Sequence, residues 1–289
     1  MSTRKQGVIS YQGEPGANSH LACIDFRPDW QALPRATFEG ALAAVSEGEA
    51  DLAMIPVENS VAGRVADVHH LLPDSGLHIV GERFEPIRHQ LLGLKGTKIS
   101  DLKSVHSHIM ALGQCRNKIR ELKLVSHPES DTAGSARIIK ERGDKSMAAI
   151  APLLAAKVYG LEVLAKDIED ASHNTTRFLI LSASPNQAKA GNGPVITTFV
   201  FRVRNVPAAL YKTMGGFATN GVNMTKLESY QPEGSFNATM FYADIEGHPD
   251  DRMVKLAMQE LIFFSSEVRV LGVYKAAKFR WKLKKQEST

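Results

Sequence analysis

The chain has 289 residues, 43% hydrophobic and 23% charged, which fits a soluble globular protein of about two domains. No apolar run approaches the roughly 18 residues of a membrane span, and Val8-Ile9-Ser10-Tyr11 follows the start too closely for a signal peptide. Two cysteines, Cys23 and Cys115, make neither a disulfide framework nor a metal cluster, so the expected setting is reducing and cytoplasmic. The net charge of +4 is uneven. Residues 275–289 carry six basic groups and one acid; subtracting that +5 from +4 leaves −1 for the rest. With no basic stripe or recognition motif elsewhere, the tail predicts neither a nucleic-acid nor a membrane partner and reads as frayed and solvated.

The first half alternates strand and helix signals. Val8–Tyr11 predicts a strand, Gln12-Gly-Glu-Pro-Gly16 a turn, and Asn18 or Ser19 a cap for a helix through Leu21, Ala22 and Ile24. Thr37 caps the next expected helix, where Phe38, Ala41, Leu42 and Val45 recur at helical spacing. Leu52–Val57 is a short buried strand. Such alternation predicts an α/β layer with mostly parallel pairing, and ligands of such sheets gather at strand ends. Glu58-Asn59-Ser60, with Gly63 after it, sits at one such end. A turn capping a helix near Asp67–Leu72 is the alternative reading.

Strand-like runs follow at His78–Val80 and His89–Leu94. Val105-His106-Ser107-His108 leads into a helix through Met110, Leu112, Cys115 and Ile119. Ser107 at that turn would lie beside a positive helix end, a place for a carboxylate, and Gln114 falls roughly on its face. Leu122–Val125 and Met147–Ile150 predict strands, Asp131 opens a helix through Ile138 and Ile139, and Ala151–Tyr159 is another helix. Then comes His173-Asn174-Thr175-Thr176-Arg177-Phe178, an imidazole, a carboxamide, two hydroxyls and a guanidinium at the mouth of the apolar run Phe178–Leu181. It reads either as a site or as a polar turn.

Ser184–Pro194 is a linker by composition. After it come a strand at Ile196–Val203, a helix from Pro207 through Met214 and Phe217, strands at Met224–Tyr230 and Asn237–Asp244 joined by Pro232-Glu-Gly-Ser235, a helix from Asp250 through Leu261, and a strand at Val268–Tyr274. The order β-α-β-β-α-β matches a ferredoxin-like arrangement.

Taken together, Glu58-Asn59-Ser60 with Gly63, Ser107-His108 with Gln114-Cys115, and Asn174-x-Thr176-Arg177-Phe178 resemble the prephenate dehydratase family, in the family's order and over nearly the whole chain. The second domain resembles an ACT module. The resemblance implies a two-lobed, periplasmic-binding-protein-like α/β catalytic domain over 1–184, a linker over 185–194, a ferredoxin-like ACT domain over 195–277 and a basic tail over 278–289, without the fused chorismate mutase of some relatives. It implies conversion of prephenate to phenylpyruvate, carbon dioxide and water in phenylalanine synthesis. Thr176, Arg177, Glu58, Asn59, Ser107 and Gln114 would be catalytic. Ser60, His108, Asn174, Phe178 and Gly16 would line the substrate.

Residue chemistry agrees with that reading. Aromatisation drives the loss of carbon dioxide and hydroxide, so no cofactor, metal or electron sink is called for. Arg177 has the donor fork for a carboxylate, and Thr176 can donate to the departing oxygen. In the ACT module the family's Gly-Ala-Leu-Val and Glu-Ser-Arg-Pro motifs read Ala208-Ala209-Leu210-Tyr211 and Glu228-Ser229-Tyr230-Gln231. L-Phenylalanine as an allosteric effector would sit near Ala209, Leu210, Asn223, Met224, Glu228 and Ser229 of paired modules in a homodimer or homotetramer. The alternatives are arogenate dehydratase, a purely dimerising ACT domain, and a non-catalytic cytoplasmic receptor for a small ligand.

Overall fold

The computed structural model describes residues 6–204, 206–231 and 240–281. In chain order it contains β1 (Val8–Gln12), α1 (Asn18–Phe26), β2 (Gln31–Arg35), α2 (Phe38–Ser46), β3 (Leu52–Asn59), β4 (Gly63–Arg64), α3 (Ala66–Asp74), β5 (His78–Pro86), β6 (Gln90–Gly93), β7 (Ser104–His108), α4 (Ile109–Gln114), α5 (Arg116–Glu121) and β8 (Val125–Glu129). There follow α6 (Thr132–Arg142), β9 (Met147–Ala151), α7 (Leu153–Tyr159), β10 (Glu162–Ala165), β11 (Thr175–Ser182), β12 (Val195–Val203), α8 (Ala209–Thr219), β13 (Met224–Tyr230), β14 (Met240–Glu246), α9 (Arg252–Phe264) and β15 (Ser265–Lys275). Two compact units result, Met1–Val65 with Phe84–Phe178, and Ala66–Arg83 with Leu179–Thr289.

The first unit holds two α/β lobes. In one, β1 lies between β2 and β3 in parallel register, Ser10 opposite both Leu33 and Ala53. Its apolar residues Ile9, Tyr11, Met54 and Ile55 are almost wholly buried. α2 covers one face, started by Thr37, whose hydroxyl accepts from the Gly40 amide as expected. In the other lobe the strand order is β10-β6-β9-β7-β8. There α6 is capped by Asp131 through the Gly134 amide and ends at Gly143 in the left-handed conformation. Gly16, at φ +97, lets the lobes approach closely: a Cβ there would stand 2.8 Å from Ala155 Cα.

The second unit contains the expected β-α-β-β-α-β order. Its strands run β13-β14-β12-β15, with β12 antiparallel to both β14 and β15. One face is an aromatic and aliphatic core of Phe199, Phe201, Phe217, Phe241, Ile245, Val254 and Leu261, closed by α8 and α9. The other face carries a buried polar cluster, in which Thr198 Oγ1 donates to Asp244 and bonds the Tyr274 hydroxyl. β5 joins β15 in parallel at Gly272–Ile79. Only glycine allows that contact, since a Cβ on Gly272 would meet the Ile79 carbonyl oxygen at 2.3 Å.

Several local expectations are corrected. The strand anticipated at Leu122–Val125 begins at Val125, because Leu122 closes α5 and Lys123 turns the chain in the left-handed region at φ 54. The single helix through Cys115 is two, broken where Cys115 leaves helical geometry at φ −122. α1 is not capped by Asn18 or Ser19; its N-cap is Ala17, and His20 Nδ1 accepts the preceding Gly16 amide instead. The edge strands β2 and β10 were not anticipated: β2 is interrupted by Pro34, and β10 spans only four residues. The solvated tail does not hold for Arg280, whose guanidinium makes two bonds, of 2.7 and 2.8 Å, to the wholly buried Glu82 carboxylate. The turn at 232–235, the start of its following strand at 237–239 and the tail from 282 lie outside the described residues.

Candidate active site

β3 delivers Glu58 and Asn59 at its carboxyl end, and β11 begins with Thr175-Thr176-Arg177. Their hydrogen bonds step in opposite directions along the two segments. Arg177 Nη1 donates to Glu58 Oε1 at 3.0 Å, Asn59 Nδ2 donates to Thr176 Oγ1 at 2.9 Å, and the Ser60 amide donates to the Thr175 carbonyl. Antiparallel juxtaposition thus lays one polar triplet against the other, read backwards. Alternation along the strand then sends Thr176 and Arg177 to opposite faces.

Asn59 is fixed at both ends of its amide. Its Oδ1 accepts from the Val61 and Ala62 amides at 3.0 and 2.8 Å, so its Nδ2 must face Thr176 and Asn174. Nδ2 has two hydrogens, and both are used. Thr176 Oγ1 is therefore an acceptor toward Asn59, and its own proton remains available to another oxygen. Ser60 ties down the entry to β11: its hydroxyl donates to the His173 carbonyl and accepts from the Thr175 amide.

Arg177 is 2% exposed, whereas the Glu58 side chain is 33% exposed. The guanidinium presents Nη1 to that carboxylate instead of standing open in a cleft. Asn174, 1% exposed, donates from Nδ2 to Gln114 Oε1 at 3.0 Å, and that same oxygen lies 2.9 Å from His89 Nε2. Gln114, Asn174, Asn59 and Thr176 are thus brought together as one chain of bonds. His89 was not singled out in the sequence, where it opens an apolar run; no local signal separates it from other strand residues. Burial holds its imidazole below the ordinary value, partly offset by the Gln114 bond and the Glu169 carboxylate.

Other expected residues stand apart from this group or face away. Ser107 is wholly buried and donates its hydroxyl to the Ile150 carbonyl at 2.6 Å, which ties β7 to β9. It is not at the start of a helix with room for an anion, because α4 has six residues and begins at Ile109. His108 caps that helix, with Nδ1 accepting from the Met110 amide. Phe178 is 1% exposed and belongs to the core. A cavity of about 420 Å³ opens at Gly13, Glu14, Pro15, Arg35 and Asp131, along the glycine turn and not over Thr176. There Arg137 holds the Glu14 carboxyl below its usual range by a two-pronged bond.

In the second unit, Ala209 begins α8, and Leu210 and Met224 pack on the aromatic core. Asn223 donates to Glu246, and Glu228 accepts from Lys226. Ser229 is exposed on β13. A cavity of about 290 Å³ in this unit, lined by Gly193, Glu246, His248, Asp251 and Trp281, includes none of the expected effector residues.

The family model for prephenate dehydratase matches residues 9–186. The chain belongs to the prephenate dehydratase family. Among similar curated proteins, the bifunctional N-acyl-homoserine lactone acylase/prephenate dehydratase of Komagataeibacter europaeus is 50% identical over 275 residues, 95% of this chain and 98% of the relative. An arogenate dehydratase of Petunia hybrida is 38% identical, over 92% of this chain and 71% of that protein. The structure of prephenate dehydratase from Arthrobacter aurescens in complex with L-Phe superposes with a TM-score of 0.86 at 30% identity, covering 97% of this chain and 98% of that one. Membership in the prephenate dehydratase family and the α/β fold are thus established together.

Proposed function

We propose that this chain catalyses the decarboxylating dehydration of prephenate to phenylpyruvate. The observation that carries the reading is the orientation of Thr176: Asn59 occupies an acceptor site on its oxygen, so its proton points elsewhere. In the reaction the carbon–carboxylate bond of prephenate breaks and its electron pair enters the ring. The ring carbon–oxygen bond breaks, and the hydroxyl leaves as water after accepting a proton. A single fixed donor at the departing oxygen is worth roughly 10²–10³ in rate. In this reading Arg177 holds Glu58 in place and balances its charge, and does not itself grip a substrate carboxylate.

The test is turnover of prephenate followed by phenylpyruvate absorbance. Thr176→Ala should lower kcat roughly 10²–10³-fold, while Thr176→Ser keeps much of the activity. Normal turnover by Thr176→Ala would sink the assignment. Arogenate, offered in parallel, decides between the two substrates that the names of relatives carry.

The same reading divides the chain into a catalytic domain over 1–184, a linker over 185–194 and an ACT domain over 195–277. It makes the protein a feedback-inhibited homo-oligomer of the cytoplasm, with L-phenylalanine as effector. The ligand of the Arthrobacter aurescens relative supports that choice. Calorimetry with L-phenylalanine tests it; no heat at millimolar ligand leaves a dimerisation module. A second reading follows from the name of the 50%-identical relative. Hydrolysis of an N-acyl-homoserine lactone, assayed beside prephenate, would show whether this chain shares that activity.

A further inference from the structure

His89 lies at the far end of the chain of bonds that ends on Thr176. The direction of every link follows from one anchor. The Val61 and Ala62 amides fix Asn59 Oδ1, which forces Asn59 Nδ2 toward Asn174 Oδ1. Asn174 then has only Nδ2 left to offer Gln114, so Gln114 presents Oε1. An oxygen already accepting from Asn174 can take His89 only as a donor, which places a proton on His89 Nε2. Nδ1 of this 2%-exposed imidazole has no hydrogen-bond partner among the described residues. The neutral Nε2–H tautomer avoids a buried, unpaired N–H there, and burial favours the neutral ring.

We propose that His89 is a positioning residue for Thr176, acting through Gln114, Asn174 and Asn59. Its Nε2–H closes a series of one-directional hydrogen bonds that holds the Thr176 hydroxyl with its proton turned toward the substrate. Gln114 and Asn174 act in the same series, and not by touching substrate. The backbone braces the far end: the His89 amide donates to Glu169 Oε2, and the Ile168 amide donates to the His89 carbonyl. The inference rests on the reading that Thr176 is the proton donor.

The experiment compares His89→Leu, which removes the donor, with His89→Gln, whose terminal amide reaches the place of Nε2. In the full-length protein His89→Leu should lower kcat for prephenate about tenfold, as small displacements of a catalytic group do. KM should stay within about twofold, and His89→Gln should recover most of the loss. On a Thr176→Ala background, His89→Leu should cost nothing further, because its effect passes through the missing hydroxyl. An unchanged kcat in His89→Leu, or the same tenfold loss without Thr176, would overturn the proposal. ¹⁵N-histidine spectra of the unliganded protein give a reading independent of turnover. His89 should carry its proton on Nε2, and an Nδ1–H tautomer would sink the relay. If the wild-type chain does not consume prephenate, the functional reading falls, and the tautomer still decides the hydrogen-bond series.

Discussion

Asn59 Nδ2 stands 2.9 Å from Thr176 Oγ1 while the oxygen of the same amide is held by two backbone N–H groups of the following turn. Asn59 therefore cannot rotate to accept from Thr176 without abandoning both of those bonds. The hydroxyl is left to give its proton away from Asn59.

Asn59→Asp reverses that arrangement at nearly constant shape. A carboxylate at Asn59 would accept the Thr176 proton in place of steering it away, and would face the Asn174 oxygen without a hydrogen between them. Prephenate turnover should fall roughly 10²-fold or more, with the chain still folded by circular dichroism. Activity within a factor of two of wild type would show that the Thr176 proton is not directed by Asn59.

Ala208 sits at φ 60, ψ 16, the left-handed region, at the start of α8. A side chain there costs energy that glycine does not, and the family motif carries glycine at this place. Ala208→Gly should stabilise the second unit by about 1 kcal/mol, raising its melting point by a few degrees. A lower melting temperature in scanning calorimetry would mean that this backbone conformation is not the one populated.

Arg280 approaches Glu82 with Nε and Nη2, and its Nη2 also lies 3.9 Å from Asp244. Both carboxylates have side chains at 0% exposure. Arg280→Met removes two charge-assisted bonds from the buried Glu82 carboxylate, so stability should drop by about 3 kcal/mol. Glu82→Gln on the same background should restore part of it. Urea unfolding of the three proteins measures both effects, and a loss below about 0.5 kcal/mol, as for a solvated pair, would contradict the burial.

The His89 imidazole is pushed below its ordinary value of 6.5 chiefly by burial. The folded chain binds that proton less readily than the unfolded one. Its contribution is complete above pH 6.5 and is lost as pH falls from there through the lowered folded value. Denaturation midpoints taken between pH 7.5 and pH 5 should show a shallower acid loss in His89→Gln than in wild type. Parallel profiles would place the titrating group elsewhere.

Much of the architecture was legible from local pattern. Thr37 and Asp131 announced their helices because capping is a contact between residues three apart in sequence. The β-α-β-β-α-β order followed from apolar periodicity. The edge strands β2 and β10 escaped, one interrupted by Pro34 and the other only four residues long. The basic tail was misjudged at Arg280, since the carboxylate that receives it lies 198 residues away.

The same division holds for the site. Composition and spacing by themselves placed polar residues at the ends of β3 and β11, and the resemblance assigned Glu58, Asn59, Thr176 and Arg177 to one family's pattern. Tertiary structure alone decided their roles toward each other. The fold set Asn59 against Thr176 and Glu58 against Arg177 by antiparallel juxtaposition, buried the guanidinium, and placed the Ser107 hydroxyl in the core against β9. It also brought His89 to the end of the amide series. The physical reason is range: a cap or a periodicity is written within a few residues, whereas a hydrogen bond's direction depends on which groups the fold carries to it from more than a hundred residues away.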